Sequence, residues 1–297
     1  MLPELPLDKW ESTKNTLHLF LQIVGKVRMA LFPRMNHWWH VPLYVSCRGL
    51  TTRSIPYEGR MIDISFDFIE HKLYVSCSDG RSEFFSLQNI SVAEFYGSLM
   101  AILKQLGVNV SIIARPYDLP FSSIPFAQDT EHASYEAKWI VKYWKTMSFV
   151  NATFEVFRGR FLGKSTPVHL FWHHADLALT RFSGKKGPLI EGRSRADQEA
   201  YSHEVISFGF WVGDDVVREP AFYTYVYPEP ENITNEKLTP DSARWNTDFG
   251  YSMAFLPYET VRMAEKPEQA LLDFLQNTYE VIAKRADWDI ESFKLSD

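Results

Sequence analysis

Cysteine is scarce: the chain of 297 residues has two, Cys47 and Cys77. That excludes a disulfide scaffold, and two thiols alone cannot complete a structural zinc site. Both lie in alternating, strand-like segments and are expected to pack as small core residues. Positive charge is also short, with 31 Lys and Arg against 37 Asp and Glu and a net charge of −6. Nucleic-acid binders show a basic domain or stripe. Here basic residues gather only at Lys185, Lys186, Arg193 and Arg195, in a Gly- and Ser-rich stretch that reads as a solvated loop. Neither nucleic acid nor an anionic membrane is therefore an expected partner. Long apolar runs are missing too. The stretch from Leu17 to Phe32 is broken by Gln22, Lys26 and Arg28 and is too short to span a bilayer. The start, Met-Leu-Pro-Glu, has no basic-then-apolar signal pattern, so the expected location is the cytoplasm. No phosphate loop, dinucleotide fingerprint, nucleophile elbow or zinc-protease helix motif occurs, and no cofactor is implied.

Aromatic residues are abundant: Trp 9, Tyr 14 and Phe 22, or 15% of the chain. They fall into helix-like and strand-like patterns. Asp8 and Glu11 have capping-box spacing before a helix that is apolar on most sides and ends at Pro33. Residues 40–50 alternate as one strand, as do 62–68 and 73–77, with Ser78-Asp79-Gly80 as a turn. Ser91 and Glu94 form a second capping box, for a helix ending near Gly107, and a short strand is expected over 108–114. Pro116, Pro120 and Pro125 mark 116–133 as a linker between halves 1–115 and 134–297, the whole read as one compact unit. The second half opens with a helix over about 135–161. Strands follow at 168–172, 177–182, 201–212, 221–227 and 251–256, separated by long loops at 183–200 and 228–250. A last helix begins at Pro267. Strands clustered between helices argue for an α+β fold with antiparallel sheets flanked by long helices, built as two similar helix-sheet-helix halves.

Four segments carry a family resemblance: Asn36-His-Trp-Trp-His-Val-Pro-Leu-Tyr44; Leu162 to His169 continuing through Thr180 to Gly184; Tyr201-Ser-His-Glu204; and Tyr227-Pro-Glu-Pro230. Together they resemble an uncharacterised bacterial family, domain-of-unknown-function family 5996, over nearly the whole chain. The resemblance implies membership but assigns no catalytic residues. Where the family pattern carries small residues, this chain has His173 and His174.

The residues themselves suggest three chemistries. His37, Trp38, Trp39 and His40 offer flat apolar faces beside imidazoles, which suits a pocket wall. Glu204 falls on the apolar face of Ile206, Phe208 and Phe210, where a carboxylate needs a partner, and Arg48 and Arg181 are the natural ones. An arginine so held could meet a ligand anion. The leading expectation is a small-molecule-binding protein. Its pocket would draw on His37, Trp38, Trp39, Arg48, Trp172, Arg181, Tyr201 and Tyr227 around an anionic ligand. The second is an enzyme with His203, Glu204 and His40 as acid and base, although adjacent strand residues point to opposite faces unless a bulge intervenes. His174, Asp176 and His203 form a weaker metal pattern, His-x-Asp with a distant His. The third expectation is a structural module whose aromatic residues only pack. The segment 183–198 is expected to be a mobile flap that closes on the anion with Lys185 or Lys186.

Overall fold

The computed structural model describes residues 1–189, 191–192 and 194–295. Arg193, part of the basic cluster, lies outside the described residues. Helix α1 (Glu11–Leu31) opens the first half. It is followed by β1 (Tyr44–Val45), β2 (Gly49–Thr51), β3 (Ile55–Tyr57), β4 (Arg60–Asp67), β5 (Lys72–Cys77), β6 (Ser82–Ser86) and α2 (Val92–Gln105). The second half runs α3 (Ala137–Gly159), β7 (His169–Phe171), β8 (Asp176–Lys186), α4 (Arg195–Ala200), β9 (His203–Trp211), β10 (Ala221–Tyr227), β11 (Arg244–Asn246), β12 (Met253–Pro257), α5 (Tyr258–Arg262) and α6 (Pro267–Arg285). Each half contributes a six-stranded antiparallel sheet, ordered β1-β2-β4-β5-β6 with β3 also on β4, and β11-β12-β10-β9-β8-β7. The α+β class follows directly. Among the described residues no helix is long and apolar enough to cross a membrane.

The halves grip one another reciprocally. Leu43 and Leu170 pair as an antiparallel bridge, with backbone hydrogen bonds of 2.8 Å in both directions, joining the first strand of each sheet edge to edge. Helix α1 caps the first hairpin of the second half, where His18 Nε2 donates to the carbonyls of Trp172 and His173 at 3.1 and 3.0 Å. Helix α3 returns the contact, with Trp144 Nε1 donating to the Ser46 carbonyl at 3.1 Å. One apolar cluster runs through both halves, from Phe20, Phe66 and Phe95 to Phe154, Phe208 and Phe274.

Several local expectations are revised. Asp8 does not cap α1. It sits in a 3-10 turn, Leu7–Lys9, because Leu7 and Trp10 are both buried and the chain enters the helix by packing them. Residues 40–50 form a hairpin instead of one strand, closed where the Ser46 hydroxyl accepts the Gly49 N–H at 3.1 Å. This leaves Cys47 exposed at the turn, while Cys77 is buried. Residues 108–114 alternate but have no strand partner; Val110, Ile112 and Ala114 pack on the core without a ladder. The Ser91–Glu94 capping box forms as expected, with bonds of 3.3 and 2.7 Å. In the segment 116–133, Gln22 of α1 holds both the N–H and the carbonyl of Tyr117, at 2.8 and 2.9 Å, and Phe126 and Asp129 are fully buried. The segment 183–200 is not a loop throughout. Strand β8 continues to Lys186, a bulge lies between Phe182 and Lys186, and α4 closes the segment.

Candidate functional site

Strand β8 separates two environments. Leu177, Leu179 and Arg181 face α3 and α6, while Ala178, Thr180 and Phe182 face the other way, because successive strand residues alternate. Beside Phe182 runs the segment after α3. The Lys164 carbonyl accepts the Phe182 N–H at 3.0 Å. Gly163 allows this close course, since a Cβ there would stand 2.6 Å from the Phe161 ring.

The segment 36–39 approaches from the first half in a tight turn. His37 and Trp38 take left-handed backbone angles, φ 53° and 60°. Such angles in bulky residues cost on the order of 1–3 kcal/mol each, so surrounding contacts must hold them. They do: α4 lies against this turn, Glu199 pairs with Arg34, and the Ala200 carbonyl meets His37 Nδ1 at 3.3 Å.

These elements bring His37, Trp39, Lys164, Phe182 and His203 together. Lys164 Nζ lies 2.9 Å from His37 Nε2, 5.2 Å from the centre of the Trp39 ring and 4.9 Å from that of Phe182. The ammonium must donate, so Nε2 accepts, and the ring proton sits on Nδ1, where it donates to Ala200. Burial, and then the Lys164 charge, hold the His37 pKa below its ordinary value, so the ring is neutral. Burial also lowers the Lys164 pKa. The His203 ring lies 5.4 Å from that of His37, and its Nδ1 is 3.1 Å from the Ser202 hydroxyl. Next to this group opens a cleft of about 470 Å³, lined by Trp39, Glu155, Arg158, Phe161, Lys164 and Ser165. Among the described residues no carboxylate lies within ion-pair distance of Lys164. Glu155 is engaged by Arg158 at 3.2 Å.

Trp38 and His40 flank this group on a different side: their rings are 5.2 Å apart, and Arg34 lies over Trp38. His40 Nδ1 accepts the Met35 N–H at 3.3 Å, and burial followed by Arg34 and Arg28 lowers its pKa. Tyr201 and Tyr227 stack edge-on at 5.3 Å farther along the sheet, with the Tyr201 hydroxyl on Tyr225 and that of Tyr227 donating to the Pro188 carbonyl at 2.6 Å.

The remaining candidates lie elsewhere. Arg48 lies in the turn between β1 and β2, not on a strand, and is paired with Asp67 and Glu70. Arg181 is buried in a box of Phe157, Phe161, Phe208 and Tyr279, donating to the Phe157 carbonyl at 2.6 Å. Neither meets Glu204, which accepts at 2.8 Å from the hydroxyl of Ser183, the residue that follows Phe182 as Glu204 precedes its partner Val205. Since the bulge between Phe182 and Lys186 is in β8 and β9 itself is regular, His203 and Glu204 point to opposite faces. Trp172 is a core residue, with Nε1 donating to the Val41 carbonyl at 3.1 Å. The pattern of His174, Asp176 and His203 is not assembled: Asp176 opens β8 while His203 pairs with Lys186 at its far end. Among the described residues no three His, Cys, Asp or Glu side chains gather as a metal site requires. Asp176 instead accepts from Tyr223 at 2.5 Å. In the expected flap, Lys185 Nζ donates to the Asp287 carbonyl at 3.0 Å.

Sequence reasoning missed Lys164 and Arg158. Lys164 lies inside a quoted motif, yet a lysine in a Gly-Lys-Ser-Thr stretch reads as solvated, and its partner His37 is 127 residues away.

The model of a family described as of unknown function, DUF5996, matches residues 2–295. Neither a curated protein nor a solved structure matches the chain.

Proposed function

The chain belongs to the DUF5996 family, and we propose that it binds a small anionic ligand in the cleft between Trp39, Arg158 and Lys164. One observation carries the reading. The Lys164 ammonium is held over Trp39 and against a neutral His37, at the edge of an open cleft, with no carboxylate in contact among the described residues. A cation so placed has an unfilled demand for negative charge, and Arg158 adds a second donor on the same wall. Trp39 supplies a flat apolar face, the usual complement to a few polar groups in a ligand site. Compared with the pocket expected from the sequence, Arg48, Arg181 and Trp172 are left out, and His37, Trp39 and His203 stay in or beside it. A reducing cytoplasmic setting suits the two free thiols, one of them exposed at Cys47.

Inorganic phosphate serves as the probe, titrated into the intact protein by calorimetry. Saturable binding is expected, weakened about 10- to 100-fold in Lys164→Met, since a charge-assisted hydrogen bond is worth roughly 1.5–3 kcal/mol. Equal binding by protein and variant, or no saturation up to about 10 mM, overturns the proposal.

A further inference from the structure

Lys164 differs from other lysines of the chain in what it touches. Lys72 and Lys138 each contact a glutamate, at 3.1 and 2.9 Å, and a carboxylate stabilises an ammonium in its charged form. Lys164 touches a base instead. The His37 lone pair is directed at Nζ because Nδ1 keeps its proton on the Ala200 carbonyl. Partial burial beside the Trp39 and Phe182 rings disfavours the charged form of Lys164, and desolvation is one way in which amine nucleophiles are activated. The amine is exposed to the cleft while its backbone is fixed against β8.

We infer that Lys164 is a nucleophile that forms an imine with the aldehyde or ketone carbon of a small anionic carbonyl compound. The inference rests on the anion-binding reading of the cleft and names the class of ligand. Burial, which lowers the pKa of Lys164, supports it. In the step, the Lys164 ammonium gives one proton to His37 Nε2. The freed nitrogen lone pair attacks the carbonyl carbon, a C–N bond forms, and the C=O π pair moves to oxygen. A proton passes from nitrogen to that oxygen, giving a neutral carbinolamine. His37 then returns its proton to the hydroxyl, which leaves as water while the nitrogen lone pair closes the C=N bond. The products are a protonated imine and one water, with no change of oxidation state. Arg158 is placed to hold the ligand's anionic group.

The test is trapping. The intact protein is incubated with glyoxylate, reduced with borohydride and mapped by peptide mass. The secondary amine is expected at Lys164, saturable in glyoxylate, competed by inorganic phosphate, and exceeding the label at exposed Lys138 by about tenfold or more. In His37→Gln the trapping rate at saturating glyoxylate is expected to fall about 100-fold, the lower end of the range for lost acid–base help. Label spread over surface lysines according to exposure overturns the inference, and an unchanged rate in His37→Gln overturns the role of His37. Phosphate binding by the wild-type protein is measured in parallel. If phosphate binds but Lys164 is not trapped, the imine falls and the cleft reading stands; if neither occurs, both fall.

Discussion

Tyr223 reaches across strand β9 to donate to Asp176 at 2.5 Å, and it does so over Gly209. A Cβ at Gly209 would stand 2.0 Å from the Tyr223 ring, so the residue between them must lack a side chain. Burial raises the Asp176 pKa, and the Tyr223 hydroxyl works against that shift. Gly209→Ala is therefore expected to displace the ring and to cost about 2–4 kcal/mol in urea unfolding, an overpacking cost plus a carboxyl left unsatisfied. Tyr223→Phe is expected to cost about 1–3 kcal/mol. A carboxyl whose folded pKa is raised loses stability as pH climbs from its unfolded value toward the folded one, so the Tyr223→Phe cost should be larger at pH 7 than at pH 4. A cost independent of pH would show that Asp176 does not titrate in the fold.

Buried imidazoles act in the opposite sense. Burial pushes the pKa of both His18 and His169 down to about 3. Each ring is neutral in the fold, while in the unfolded chain it gains a proton near pH 6.5. The unfolded state thus binds more protons between these values, so stability is complete above about pH 6.5 and falls as the pH drops toward 3. Each group contributes a slope of up to about 1.4 kcal/mol per pH unit in that window. Denaturation series at pH 7, 6, 5 and 4 should show the fall. His18→Gln, which keeps a donor for the Trp172 and His173 carbonyls, should flatten it by about one such slope, and an unchanged slope would contradict a neutral His18.

Much of the fold is legible in the sequence because it is local. The alternation of Ile62, Ile64 and Phe66 becomes β4, and the Ser91–Glu94 spacing becomes a formed cap. Pro267 stands at the first turn of α6 as read. The site is less legible because it depends on register. Which face Glu204 and Arg181 occupy follows from alternation, but whether they meet depends on the β8–β9 register, which sets Arg181 opposite Ile206 and which no local spacing encodes. The His37–Trp39 turn carries no local signal for its left-handed backbone, which is held by α4 from the other half.

Arg181 separates structural from ligand chemistry. Its guanidinium is buried with a main-chain carbonyl at 2.6 Å and four aromatic rings around it, and burial lowers its pKa to about 9. It lies on the face of β8 opposite Phe182, and of the four rings around it Phe161 alone also lines the cleft. Arg181→Met keeps most of the volume but loses the hydrogen bond at the end of α3, so a loss of about 1–3 kcal/mol in stability is expected. Phosphate affinity should stay within about twofold, less than 0.5 kcal/mol. A loss of binding as large as that of Lys164→Met would return Arg181 to the site.

The last expectation sets two effects against each other at Gly25, within α1. In an exposed helix interior, Gly→Ala gains up to about 1 kcal/mol from helix propensity. At Gly25 the new Cβ would stand 2.1 Å from Trp172 Cδ1. The indole has little freedom to retreat: its Nε1 is held by the Val41 carbonyl at 3.1 Å and its own carbonyl by His18. Overpacking of a fixed ring costs roughly 1–3 kcal/mol, and moving the ring also breaks a buried hydrogen bond worth about 1 kcal/mol. The clash wins, and Gly25→Ala is expected to destabilise the protein by about 1–3 kcal/mol net in urea unfolding. Because α1 belongs to the first half and Trp172 to the second, the same variant should loosen the seam between them and speed amide exchange at Leu43 and Leu170, whose bridge joins the sheets. Stabilisation by Gly25→Ala would mean that the helix and the indole do not meet as described.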